Sequence, residues 1–219
     1  TATAAASVAE GSTAVGAYDG TDADAADTLT YTIRTSGENA ASVDHDLFSI
    51  VANSGVLTFG SAPNFEAPGC GAGNDANTCV VVLRVSDGTN SDDITVTVTV
   101  TAVNDNTPEF DDDDSDGSTA TAAASTAENS QAVGTYDGTD ADAADTLTYT
   151  IRTSSENSNS VDHDLFSIVS GSGVLTFGSA PNYEAPGCGA GNDANTCVVV
   201  LRVSDGTNSD DITVTVTIT

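Results

Sequence analysis

Asp93-Ile94-Thr95-Val96-Thr97-Val98-Thr99-Val100-Thr101 places an apolar residue at every second position of the run. Successive side chains of an extended strand point to opposite faces, so this stretch offers a dry row of Ile94, Val96, Val98 and Val100 and a wet row of threonines. The β-branched residues on both rows suit a pleated strand and disfavour a helix. Working outward, residues 28–34 (TLTYTIR) alternate in the same way, and residues 47–51, 55–59 and 79–85 are short apolar runs set apart by Gly, Asn, Asp and Pro turn signals. A short strand over 14–18 and a leading strand near 3–8 bring the set to about seven. Seven strands in about 100 residues, with no sustained 3.6-residue apolar period, predict an all-β Greek-key β-sandwich.

The pattern occurs twice. Residues 1–101 align without a gap with residues 119–219 at an offset of 118, and 11 of the 101 positions differ, among them Val8/Thr126, Gly11/Asn129 and Phe65/Tyr183. A unit of about 100 residues is large enough to hold its own core. The expected organisation is therefore a tandem array: a first repeat over 1–110 that includes a linker motif, an acidic insertion over 111–118, and a second repeat over 119–219 whose linker motif is truncated. Thr1 is not Met and the alternation of 212–219 runs to the last residue, so the sequence reads as a segment of something longer.

Charge narrows the function. The chain has 33 Asp and Glu against 4 Arg and no Lys, a net charge of −29. Such a field repels phosphate backbones and anionic lipid, which argues against nucleic acid as a partner and makes cations the natural counterpart. No run approaches the roughly 18 apolar residues of a membrane span, so no direct membrane insertion is expected from this segment. Each aligned copy holds 13 acidic residues and the stretch 102–118 holds 7, the densest concentration in the chain.

That stretch reads Val103-Asn104-Asp105-Asn106-Thr107-Pro108-Glu109-Phe110, and here the sequence resembles the cadherin repeats. The rest of the unit agrees in order: Ala127-Glu128-Asn129 resembles the family's early Glu motif, and Asp140-Ala141-Asp142 its DxD strand. Asn182-Tyr183-Glu184 is similar to its DRE-type motif, and Val203-Ser204-Asp205-Gly206 to its late Asp-Gly turn. The resemblance implies a cadherin/immunoglobulin-like sandwich with calcium held between successive domains. Calcium takes six to eight oxygens from carboxylates, amides and backbone carbonyls. Carried over by residue, the junction is expected to use Glu10, Glu66, Asn104, Asp105 and the backbone of Val103 and Asn106, with Asp140, Asp142 and Asp205 from the second repeat. Asp22, Asp24 and Asp87 form the equivalent half-site facing a preceding linker, and Glu128 and Glu184 the half-site facing a following one.

The sequence departs from the family in three places. Ala102 offers no ligand where an Asp is usual, and Asn64 and Asn182 offer amide oxygens in place of carboxylates. The insertion adds Asp112, Asp114, Asp116 and Gly117, the first half of an EF-type calcium loop, but the position of its closing Glu is Ala123. This leaves two readings open there, an additional calcium or a solvated acidic loop. A wholly solvated acidic surface, as in salt-adapted proteins, is the bland alternative for the other acids; the ordered motifs favour calcium.

Cys70 with Cys79 and Cys188 with Cys197 fall once per repeat, and four cysteines permit three connectivities. Local pairing is favoured because each unit must be self-sufficient; a ring of about ten residues stabilises it by roughly 2.5–3 kcal/mol in the chain-entropy model. Disulfides point to an oxidising, extracellular or cell-surface location. The run Val43-Asp44-His45-Asp46, repeated around His163, is read as an extended segment whose side chains do not converge. No nucleophile elbow, phosphate-cradling loop or HExxH pattern occurs, so an enzyme is not expected. The expected function is a non-enzymatic, calcium-rigidified segment of an extracellular filament, stalk or adhesin. Its partners are then neighbouring repeats of the same chain, with homotypic or fibre self-association. The alternative is a cell-surface binding module recognising a glycan or partner protein.

Overall fold

The alternating Thr/Val run forms the longest strand of a seven-stranded sandwich, and its twin does the same in the second unit. The computed structural model describes residues 2–24, 27–111, 120–192 and 194–219. Contacts divide the chain into two compact units, Thr1–Val103 and Asn104–Thr219, so the junction motif from Asn104 to Phe110 falls with the second unit.

In unit 1 the strands are β1 (Ala2–Ala9), β2 (Ala14–Ala17), β3 (Thr30–Arg34), β4 (Phe48–Ile50), β5 (Val56–Phe59), β6 (Thr78–Ser86) and β7 (Ser91–Thr101). They make a four-stranded sheet in the order β1-β7-β6-β3 and a three-stranded sheet in the order β2-β5-β4. β6 and β7 form a hairpin, while β1 joins β7 in parallel, Ala2 opposite Ile94 and Ala9 opposite Thr101. Val96, Val98 and Val100 are buried, and they pack with Cys79, Val81 and Leu83 of β6 against Phe48, Leu57 and Phe59 of the other sheet. The all-β sandwich expected from the sequence is thus the observed architecture.

Unit 2 repeats this plan with β9 (Ala120–Thr126), β10 (Ala132–Thr135), β12 (Thr148–Ile151), β13 (Phe166–Ile168), β14 (Val174–Phe177), β15 (Thr196–Ser204) and β16 (Ser209–Ile218). Its sheets run β12-β15-β16-β9 and β10-β14-β13. It also has a two-stranded ribbon, β8 (Glu109–Phe110) against β11 (Gly138–Thr139), which the sequence pattern does not announce.

Each unit carries one disulfide, Cys70–Cys79 and Cys188–Cys197, which settles the connectivity as the local one. A buried carboxylate orders the loop that it closes. Asp44 accepts the N–H of Gly71 and of Val80, each at 2.6 Å, and Ser42 Oγ accepts the N–H of Val82 at 2.9 Å. β3 ends opposite Val82, so these two side chains take up the N–H groups of β6 that have no further strand partner. Asp162 and Ser160 repeat the arrangement in unit 2.

The extended reading of the Asp-His-Asp run is corrected. His45–Leu47 and His163–Leu165 are single 3-10 turns, because Asp44 is drawn inward by the two N–H groups and the chain must fold back from it. His45 Nε2 consequently lies 3.1 Å from Asp46 Oδ1, and its Nδ1–H donates to the Ser42 carbonyl at 2.9 Å. Asp44 itself is committed to the backbone, so the three side chains do not form one site.

Candidate metal centre

In unit 2 the junction motif and two loops of the sandwich, between β11 and β12 and between β15 and β16, bring acidic side chains together. Asp142 is buried and accepts the N–H groups of Asp105, at 3.1 Å, and Asn106, at 2.9 Å. Asp140 lies two residues earlier and accepts the N–H of Asp142 at 2.9 Å, so the DxD segment is folded into an Asx turn with both carboxylates on one side. Asp205 accepts the N–H groups of Thr207 and Asn208 at 2.6 and 2.7 Å, and Asn208 Nδ2 donates to the Asn106 carbonyl at 2.8 Å. The late Asp-Gly turn is thereby laced to the junction. Asp105 and Asp142 offer carboxylate oxygens within 4.8 Å of one another.

Among the described residues, three oxygens here are buried without a hydrogen-bond partner: Asn104 Oδ1, Asp140 Oδ2 and Asp205 Oδ2. Buried polar atoms in folded proteins are nearly always satisfied, so three on neighbouring side chains mark the place where a group with positive charge fits. Asp145 reports the same field. Its carboxyl is held above the ordinary range, first by burial and then by the charges of Asp142, Asp205 and Asp140, against an opposing hydrogen bond from Asn104 Nδ2 at 2.5 Å. Asp205 is lowered: burial pushes it up, but the N–H groups of Thr207 and Asn208 and the nearby Asn104 amide outweigh that. Among the described residues, no arginine pairs with these acids. All four arginines are engaged elsewhere in their own units, Arg34 with Glu38, Arg84 with Asp93, Arg152 with Glu156 and Arg202 with Asp211.

Unit 1 holds two separate groups. At one, Glu10 is buried and bidentate, its Oε1 taking the N–H of Val103 and its Oε2 that of Phe65, both at 2.7 Å. Glu66 follows Phe65 on a turn that Asn64 caps, Asn64 Oδ1 accepting the N–H groups of Glu66 and Ala67 at 2.8 and 3.0 Å. At the other, Asp22, Asp24 and Asp27 offer carboxylate oxygens within 4.8 Å of one another, all exposed, and Asp22 accepts the N–H of Asp24 at 2.8 Å. Asp87 is lowered by the N–H groups of Asn90 and Thr89. In unit 2, Glu128 accepts the N–H of Tyr183 at 3.1 Å and Asn182 caps the turn carrying Glu184.

No protein-family model and no curated protein sequence matches the chain. Solved structures do. A protocadherin gamma B2 fragment of extracellular cadherin domains 3–6 superposes with a TM-score of 0.70 at 18% identity, over 100% of this chain and 50% of that one. Human CDH23 EC21–23 gives 0.69 at 20%, over 100% and 73% of the two chains, and Drosophila N-cadherin EC1–4 gives 0.70 at 16%, over 99% and 48%. The chain folds as cadherin repeats.

Within that fold, the structure places Asn104, Asp105, Asn106, Asp140, Asp142 and Asp205 together in unit 2. It places Asp22 and Asp24 together in unit 1, while Glu10 and Glu66 lie at a second place in that unit. Asn64 and Asn182 serve as turn caps through their amide oxygens. Asp145, and Asp27 at the same position of the first cadherin repeat, were missed by sequence reading; both lie three residues after the DxD pair, and only that spacing could have pointed to them. Asp112, Asp114 and Asp116 lie outside the described residues.

Proposed function

We propose that this chain is a segment of an extracellular structural or adhesive protein whose cadherin repeats are fixed to one another by calcium. The observation that carries the reading is the set of buried, unpartnered oxygens on Asn104, Asp140 and Asp205 beside a cluster of carboxylates with no fixed cation. These are hard oxygen donors, the set calcium prefers. Asp140, Asp142, Asp205, Asn104 and the backbone of Asn106 would hold ions from the second unit, with Asp145 next to them. Glu10, Glu66, Asp105 and the backbone of Val103 would contribute from the first unit and the linker. Calcium supplies the positive charge; the chain's residues supply the geometry, since Asp142 already orders the junction backbone and Asn208 holds the Asn106 carbonyl in place. Asp22, Asp24 and Asp87 would take a preceding linker, and Glu128 and Glu184 a following one. Without the ion the acids repel and the units pivot; with it the interdomain angle is set. An oxidising location agrees with the two disulfides and with the abundance of calcium outside cells.

Calorimetric titration with calcium tests this. Saturable binding at or below millimolar calcium is expected, reduced at least ~10-fold in Asp140→Ala and Asp205→Ala, the loss of one carboxylate ligand being worth ~1.4 kcal/mol or more. Binding that neither substitution changes would contradict it.

A further inference from the structure

Each unit has a cavity of about 330 Å³ at the end of the sandwich where its long core strand finishes, β7 in unit 1 and β16 in unit 2. In unit 1 the chain runs on from Val100 into the junction, so no chain end opens the cavity. Its floor is apolar: Leu47, Phe59, Cys70 and Val100 in one unit, Leu165, Phe177, Cys188 and Ile218 in the other. The walls are fixed. Gly60 N–H donates to the Leu47 carbonyl at 2.8 Å, and Cys70 is tied by its disulfide and by two backbone bonds to Ala76 at 3.0 and 3.1 Å. A preformed, mostly apolar cavity of this volume stands at the small end of ligand pockets, which span roughly 300–1,000 Å³. It suits a small molecule.

Two polar groups indicate what that molecule carries. Asp46 lines the cavity with a side chain that is 88% exposed, which puts it at the mouth, and Asp164 repeats it at 89%. His45 Nε2 lies 3.1 Å from one of its oxygens, and at that exposure the carboxylate stays open to a ligand. Asn77 lines the cavity as well. Its Nδ2 donates to the Phe65 carbonyl at 2.9 Å, which fixes the amide and leaves Oδ1 to accept. The twin Asn195 makes the same bond to the Tyr183 carbonyl at 3.0 Å, and its Oδ1 is buried without a hydrogen-bond partner among the described residues. An acceptor that lacks a donor and a carboxylate at the mouth both favour a cation carrying N–H groups. The chain's net charge of −29, with its four arginines paired to other acids, favours the same charge. We infer that each repeat binds a small organic ammonium ion in this cavity, its aromatic or aliphatic body on the apolar floor and its N–H groups directed to the amide oxygen and the carboxylate. None of the proposed calcium ligands lines the cavity, so the inference is independent of the calcium reading.

Amide NMR of the full chain tests this, with phenethylammonium as the probe and phenethyl alcohol as its neutral analogue. The titration is run in EDTA, so failure of the calcium reading leaves the result intact. Saturable shifts are expected at the Leu47, Gly60 and Cys70 amides and at their twins Leu165, Gly178 and Cys188. The expected Kd is about 1 mM or below, with the alcohol at least ~5-fold weaker. Asp46→Asn combined with Asp164→Asn should weaken the ammonium about 3-fold, the size expected of an exposed charge, and leave the alcohol unchanged. Both carboxylates are exposed, so this arm does not depend on a core substitution. Ala62→Phe combined with Ala180→Phe, two exposed positions that line the cavities, should abolish binding of both probes. Equal affinity for the ammonium and the alcohol would overturn the proposal. So would shifts that never saturate and spread over the acidic surface, or binding that the two phenylalanines leave unchanged.

Discussion

Asp44 holds two backbone N–H groups at 2.6 Å with a carboxylate that is 4% exposed, and nothing in an Asp-His-Asp run distinguishes it from its exposed neighbour Asp46. Charge-assisted bonds to buried donors are the costly ones to lose, so Asp44→Ala is expected to destabilise its unit by about 2–4 kcal/mol in urea unfolding, while Asp46→Ala leaves the midpoint unchanged. Asp145 makes a prediction of opposite sign. Its folded pKa is raised, so its favourable contribution is present below its ordinary value and lost as pH rises through the folded value. In EDTA at pH 7, Asp145→Asn should therefore raise the melting temperature of unit 2, with the gain disappearing by about pH 3, and the same substitution should weaken calcium binding. Metal-free stability that falls on this substitution at pH 7 would contradict the assignment. Residue types and motif order picked out Asp140, Asp142 and Asp205 as candidates, because oxygen donors for one ion recur at fixed spacing. Asp44 and Asp145 were not legible, since their roles come from which N–H groups and which charges the fold brings to them. The repeat differences respect the same local physics: Asn129 replaces Gly11 where both adopt positive φ, and Thr126 replaces the buried Val8 while its hydroxyl donates to the Ala132 carbonyl at 3.1 Å.

At the scale of elements, the period-two alternation of β7 and the apolar runs of β4, β5 and β6 located the strands well, since side-chain alternation is written directly in sequence. The parallel pairing of β1 with β7 and the β8–β11 ribbon were not legible. Both depend on long-range partners, and a two-residue strand carries no periodicity. Each disulfide joins the start of a long core strand, Cys79 in β6 and Cys197 in β15, to the loop that Asp44 or Asp162 anchors. Replacing Cys188 and Cys197 together by Ala should cost unit 2 roughly 2–3 kcal/mol by urea denaturation without moving the unit 1 transition. Coincident loss of both transitions would show that the units do not unfold independently.

For the whole molecule, a net charge of −29 with every arginine already paired within its own unit is the setting in which the proposed calcium would act. Rigidification at each joint is the central claim, and small-angle scattering of the two-unit chain across a calcium titration tests it most directly, with Asp140→Ala alongside. The account predicts a saturable change to a single narrow distribution of interdomain distances, lost in EDTA and absent from the substituted chain. Scattering that is the same with and without millimolar calcium would contradict it.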